Sequence, residues 1–131
     1  MDFFKDRYAK VDNKAMEDGA PVDFGGGFIV TVRHVSSEKV NLERAKITKQ
    51  LRVMNRNRDL TPEQQKRITS HVAAHAGIVT WDGSKVGVPE FSPEFAEKVF
   101  AERPEFLDDV IEAMTTYETF RDAEVSAAAG N

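Results

Sequence analysis

The chain has 131 residues, which is the length of one domain that can enclose a single hydrophobic core. Hydrophobic residues make up 40% and charged residues 31% of it, a composition typical of a folded soluble protein rather than a disordered one. It contains no cysteine, which excludes disulfides, thiolate zinc sites and cysteine nucleophiles. The first residues are charged throughout and no apolar run approaches the ~20 residues of a membrane-spanning helix, so we expect a soluble intracellular protein without a signal peptide or membrane contact.

Charge is divided unevenly along the chain, although the formal net charge is only −4. The charges sum to −1 over residues 1–37, to +5 over residues 38–71 and to −8 over residues 82–131. A basic middle and an acidic end could pair within the chain, stack head to tail between copies, or face a charged partner. Such a division affects association and solubility rather than the fold.

The N-terminal quarter predicts an arm followed by a β-hairpin. Residues 1–19 show no clear periodicity, and we expect a frayed helix or an arm there. Residues 20–36 predict the hairpin, because alternating Val22 and Phe24 precede the glycine triplet 25–27 and a β-branched run follows it. An isolated two-stranded ribbon is only marginally stable in water, so this hairpin is expected to pack against helices or another copy.

Two basic helices are predicted next, over residues 38–56 and 62–76. Heptad-like spacing in the first helix predicts an apolar face made of Val40, Ile47, Leu51 and Met54. The second helix begins with a capping box formed by Thr61 and Gln64 and ends at Gly77, a favoured C-terminal stop.

Two further helices are predicted over residues 93–102 and 105–122. Ser92 and Pro93 open the first of them, and Pro104 separates the two, because the residue before a proline is disfavoured in the α region. The apolar stripe of the last helix consists of Leu107, Val110, Met114 and Tyr117.

These elements predict an α+β fold, namely a mainly α-helical single domain with an N-terminal β-hairpin. The domain is expected to span residues 20–124, between the N-terminal arm and a flexible C-terminal tail at residues 125–131. The sequence shows no internal repeat.

Two histidines, His71 and His75, are four residues apart on the second predicted helix, so both could face one metal ion. The residues between them lack the glutamate of a zinc protease motif, and no third ligand is evident, so two ordinary helix histidines are the favoured interpretation. No serine lies in a nucleophile-elbow pattern, and the carboxylates of the last helix indicate a solvated acidic face. We therefore expect no catalytic, cofactor-binding or metal site, and a protein that is not an enzyme.

Two groups of residues are candidates for contact with a macromolecule. Basic side chains on the first long helix could neutralise the phosphates of a nucleic acid or bind an acidic protein surface: Arg44, Lys46, Lys49 and Arg52. The acidic chain as a whole and the long polar link between the two basic helices favour a protein partner. Trp81 is either an interface anchor or a core residue, and a lone tryptophan between helices is more often a core residue.

The segment IVTWDG at residues 78–83, followed by GVPEFSPEFA at residues 87–96, resembles the C-terminal half of the tail assembly chaperones of long-tailed, siphovirus-like bacteriophages. The likeness consists of a spacing of Trp, Gly, Pro and a serine-capped helix. The N-terminal half is also similar, with a glycine-containing hairpin followed by Asn41 and a helix. The resemblance covers about residues 20–120.

The resemblance implies a non-enzymatic protein of the host bacterial cytoplasm that binds the tape measure protein, keeps it soluble and promotes tail tube polymerisation during virion assembly. Together with the charge division it predicts a homo-oligomer, and it is compatible with a longer, frameshifted form of the same protein. An amphipathic helix of the partner needs an exposed apolar groove, for which Trp81, Phe91 and Phe95 are candidate contacts. Two alternatives remain: a structural virion protein of the tail or neck, and a small nucleic-acid-binding accessory protein.

Overall fold

The computed structural model describes residues 2–121, which contain six α-helices and one small β-sheet. The flexible tail predicted for residues 125–131 lies outside the described residues. Within the described part, no helix is both long and apolar enough to cross a membrane.

Two short helices, α1 (Phe3–Arg7) and α2 (Asn13–Asp18), form most of the predicted N-terminal arm. An aspartate precedes each of them and accepts hydrogen bonds from backbone N–H groups of the first turn, which explains why such short segments are helical. Neither helix buries a residue completely, but α2 is attached to the rest of the chain, because the N–H of His34 donates to the carbonyl of Met16. The second half of the arm is therefore held against the domain.

The sheet consists of β1 (Ala20–Asp23), β2 (Ile29–Val32) and β3 (Ile78–Asp82) in that order, and both pairings are antiparallel. β1 and β2 form the predicted hairpin, with the three glycines of its turn at positive φ. The prediction of only two strands was wrong, because β3 pairs with the other edge of β2. β3 begins with a β-branched run, which is typical of a strand. Its pairing with β2, which is remote in sequence, depends on tertiary packing.

β2 is the central strand and carries the most completely buried side chains of the sheet. Val30 and Val32 are fully shielded from solvent, and Val30 pairs with Trp81 of β3. The register shifts between Thr31 and Val32, where β3 has one extra residue, Val79, as in a β-bulge. With this mainly helical content, the prediction of an α+β domain is confirmed.

The longest helix is α3 (Glu38–Met54), which begins at Ser37, whose hydroxyl accepts from a backbone N–H of the first turn. It buries three of the four residues predicted for its apolar face, Val40, Ile47 and Leu51. Met54, the fourth, is 70% exposed, so that part of the prediction was wrong. Met54 is the last residue of the helix and adjoins the polar connection at residues 55–59, which offers no apolar surface to cover it.

The second basic helix, α4 (Pro62–Val72), begins with the predicted capping box. The N–H of Gln64 donates to the hydroxyl of Thr61, and the N–H of Thr61 donates to the side chain of Gln64. The helix predicted over residues 62–76 is α-helical only as far as Val72. Ala73–Gly77 form one π-helical turn, called the π turn below.

The π turn lies at the centre of the domain, where it contacts α3, β3 and both C-terminal helices. Its alanines 73, 74 and 76 and Gly77 are buried. A Cβ atom on Gly77 would lie only 2.6 Å from Sδ of Met114, so the glycine permits the close approach of the last helix. Small side chains thus allow several elements to meet at one point.

Two helices joined by a single residue follow the sheet, α5 (Pro93–Glu102) and α6 (Pro104–Thr115). α5 has the predicted bounds, and the hydroxyl of Ser92 accepts from the N–H of Phe95 as a helix cap. Arg103 is the single residue between them, and it leaves the helical conformation before Pro104 as expected.

The last helix is shorter than the predicted 105–122, because Thr116 adopts an extended conformation. The hydroxyls of Thr115 and Thr116 both bond to the carbonyl of Glu112 and compete with continued helix formation. Tyr117, predicted in the apolar stripe, is 60% exposed. Phe120, which ends the following 3₁₀ turn, is fully buried in the core.

Candidate functional site

Trp81 lies in the core, only 7% exposed, as the more common interpretation of a lone tryptophan indicates. Its indole N–H donates to the carbonyl oxygen of Pro89 at 2.8 Å. Phe91 and Phe95 are half-buried and pack edge-on against its ring, with centroids 5.0 and 6.0 Å away. The three aromatic contact candidates are therefore brought together, but around one another and not as an open surface.

The turn between β3 and α5 is closed by local hydrogen bonds. The N–H of Val88 donates to the carbonyl of Gly83, and Ser84 donates from both its hydroxyl and its N–H to the carboxylate of Asp82. These bonds from Ser84, its hydroxyl first, hold the pKa of Asp82 below its usual value. The glycine and proline residues of this stretch thus form one compact turn that is bonded to the side chain of Trp81.

The four basic candidates on α3 are spread over its solvent side, Lys46, Lys49 and Arg52 exposed and Arg44 half-buried. Arg44, Lys49 and Arg52 line one shallow depression, of which Lys46 is not part. The depression also contains Val53, whose side chain is 65% exposed. None of the four basic residues forms an ion pair with any residue among 2–121. This face of α3 therefore presents basic side chains beside an exposed apolar side chain, which a partner could contact.

A larger groove of about 770 Å³ lies between α4 and the two C-terminal helices. Its floor contains Phe100 of α5 and the half-buried Leu107 and Ile111 of α6, which are one helical turn apart. Charged residues of both signs line the same groove: Glu63, Lys66 and Arg67 from α4 and Asp108 from α6. The spacing of Leu107 and Ile111 was visible in the sequence, but the meeting of two helices so far apart in the chain was not.

A cluster of two histidines and two glutamates connects three helices. Nε2 of His71 lies 2.8 Å from Oε1 of Glu43 on α3, and Nδ1 of the same ring lies 3.5 Å from Oε1 of Glu97 on α5. Nε2 of His75, in the π turn, lies 3.4 Å from Oε2 of Glu97. The two imidazole rings are stacked, with centroids 4.1 Å apart. Neither glutamate was considered from the sequence, because each comes from a different helix.

The third histidine, His34, is a core residue. It is 4% exposed, its ring stacks on Tyr117, and its Nδ1 accepts from the N–H of Ser36. Nε2 of His34 is buried without a hydrogen-bond partner among the described residues. Burial lowers the pKa of His34, so the ring is neutral at pH 7.

A comparison with protein families matches residues 35–131 to the model described as YdaY prophage protein. The match begins just before α3, so it includes the groove and the histidine–glutamate cluster and leaves out the β-hairpin. A search of curated proteins found no match, and neither did a search of solved structures. Because the family model covers most of the chain, this phage-derived protein belongs to the YdaY prophage protein family.

Proposed function

We propose that this protein is a tail assembly chaperone of a long-tailed bacteriophage. In this role it is non-enzymatic: it binds the tape measure protein, keeps it soluble and promotes polymerisation of the tail tube. Membership in a prophage protein family supports a phage role. The resemblance at residues 78–96 to tail assembly chaperones also supports it.

The groove between α4 and α6 is the observation that carries the proposal. An amphipathic helix binds such a groove through apolar side chains spaced three or four residues apart. Leu107 and Ile111 present apolar surface at the matching one-turn spacing, and Phe100 closes the floor. The tape measure proteins of these phages are long and mostly helical, so they offer many such helical faces to one chaperone.

The charges along the groove favour a partner helix that carries charged residues on both sides of its apolar face. Glu63, Lys66 and Arg67 are on the α4 side, and Asp108 is on the α6 side. A bound helix with an acidic residue beside Lys66 and Arg67 and a basic residue beside Asp108 would complement these charges. Such contacts contribute more to specificity and association rate than to affinity.

Co-expression with the tape measure protein of the same prophage tests the proposal. The parent chain is expected to keep the tape measure protein in the soluble fraction and to co-purify with it. The double variant Leu107→Asp/Ile111→Asp is expected to lose both effects, because two carboxylates would face the apolar side of the bound helix.

The control is Val86→Asp, which places one carboxylate at an exposed apolar position outside the groove. It should behave like the parent, and thermal unfolding should show all variants folded. A parent chain that leaves the tape measure protein insoluble would contradict the proposal. Stoichiometric amounts of the protein in purified tails would instead assign it to the structural components of the virion.

A further inference from the structure

We propose that His71, His75 and Glu97 form a binding site for one divalent transition-metal ion, zinc in particular. One ligand atom from each of the three residues can be chosen so that all lie within 4.8 Å of one another. Two imidazole nitrogens and a carboxylate oxygen are a donor set that zinc binds in proteins. The sequence offered the two histidines alone, and the fold adds the third ligand.

The distances between the histidines and Glu97 are longer than those of direct hydrogen bonds. Nδ1 of His71 lies 3.5 Å from Oε1 of Glu97, and Nε2 of His75 lies 3.4 Å from Oε2. An N–H···O hydrogen bond is shorter, about 2.7–3.2 Å. Ligand atoms that each lie about 2.0–2.1 Å from a tetrahedral zinc ion are about 3.3 Å from one another. The three chosen ligand atoms lie within 4.8 Å of one another, so an ion between them would draw them closer by up to about 1.5 Å.

Glu43 determines which nitrogen of His71 is free to bind the ion. It accepts a hydrogen bond from Nε2 of His71 at 2.8 Å, which leaves Nδ1, the atom that faces Glu97, as the nitrogen that can bind an ion. A carboxylate on the outer nitrogen of a ligating histidine is also the usual arrangement at zinc sites.

Coordination of one ion also requires the two rings to turn. Their centroids are 4.1 Å apart and their planes differ by 18°. The lone pair of an imidazole nitrogen lies in the ring plane, so rings this close to parallel must rotate before both nitrogens point at the same ion. The torsion that turns a histidine ring is broad, which permits this rotation.

The three ligands are held by regular elements and remain accessible to solvent. His71 is on α4, His75 is in the π turn, and Glu97 is on α5. Their side chains are 22%, 26% and 37% exposed, so an ion can enter from solvent. π-Helical turns occur frequently at functional sites. Three protein ligands leave the fourth position for water or for a carboxylate of a bound protein.

Titration of untagged, metal-free protein with Zn²⁺ by calorimetry, and with Co²⁺ followed by visible absorption, tests the site. We expect one ion per chain and, with Co²⁺, the absorption bands of tetrahedral coordination. Glu97→Gln and His75→Gln should each weaken binding at least tenfold. Glu43→Gln, which leaves all three ligands in place, should weaken binding by about 10- to 100-fold.

Glu102→Gln is the matched control, because it makes the same change at an exposed glutamate of the same helix. It should bind like the parent, and Zn²⁺ should raise the unfolding temperature of both but not that of Glu97→Gln. Equal binding by the parent and Glu97→Gln, or no binding above a non-stoichiometric background, would overturn the proposal. The measurement uses the purified protein without a partner, so its outcome is independent of the chaperone proposal.

Discussion

At the scale of single residues, Trp81 connects β3 to the turn before α5 and to the C-terminal helices. Its indole N–H satisfies the carbonyl of Pro89, and its ring packs edge-on against Phe28, Phe91 and Phe106 at 5.0 to 6.0 Å. Large aromatic side chains with a satisfied polar atom contribute strongly to core stability. The geometry of this unit should therefore depend on the indole more than on any neighbouring side chain.

Trp81→Ala is expected to lower the free energy of unfolding by about 3–5 kcal/mol, because it leaves a cavity among the surrounding phenylalanines. Such a loss is a large share of the stability of a single domain. Denaturant unfolding measures it, with Trp81→Phe as the control that retains an aromatic ring and should lose less. An unchanged stability together with lost partner binding would show that Trp81 is an interface anchor.

At the scale of elements, the π turn is the point at which α3, β3, α5 and α6 contact the same short segment. Its alanines and Gly77 are buried, so neighbouring helices approach its backbone closely. A larger side chain at any of these positions would have to displace a packed neighbour. The close packing of the elements at the centre of the domain thus depends on small side chains rather than on large ones.

Gly77→Ala is expected to destabilise the domain by about 1–3 kcal/mol, the usual cost of overpacking a core. The new methyl group would lie 2.6 Å from Sδ and 2.7 Å from Cε of Met114, which is itself only 3% exposed. Chemical denaturation of Gly77→Ala, Met114→Ala and the double variant measures the coupling. The double variant should be less destabilised than the sum of the singles, and strict additivity would contradict the proposed contact.

At the scale of the whole molecule, basic side chains on α3 and acidic ones on α5 and α6 give the surface regions of opposite sign. We propose that copies of the chain associate head to tail through these regions. Such heterologous contacts close into rings or continue as spirals. Exposed charges are screened beyond about 8–10 Å near physiological ionic strength, so the association should weaken with salt.

Replacement of Arg44, Lys46, Lys49 and Arg52 by Glu is therefore expected to disperse the oligomers without unfolding the domain. Sedimentation at low and high salt measures the effect. The control replaces the exposed Arg7, Lys10, Lys14 and Lys85 by Glu, which changes the net charge equally at other places. A parent chain that is strictly monomeric would contradict this proposal. Tight, salt-sensitive binding of duplex DNA by the α3 residues would favour the nucleic-acid alternative.

The sequence by itself determined where most helices begin and where several end. Thr61 and Ser92 are caps as predicted, and the last helix begins at Pro104, one residue before its predicted start, because each signal acts on backbone groups within a few residues. The buried face of α3 followed from its periodicity as far as Leu51. The hairpin also followed from local chemistry, since a glycine turn between β-branched runs brings together strands that are adjacent in the chain.

Only the tertiary structure decided which remote segments meet. The pairing of β3 with β2, the burial of Phe120 in place of Tyr117, and the groove between α4 and α6 all depend on contacts between distant parts of the chain. The same holds for the third ligand of the proposed metal site, because Glu97 reaches the histidines only when α5 packs beside α4. Local patterns specify each helix and strand. The arrangement of these elements is selected by the free energy of burying their apolar faces together, and this free energy cannot be read from any local pattern.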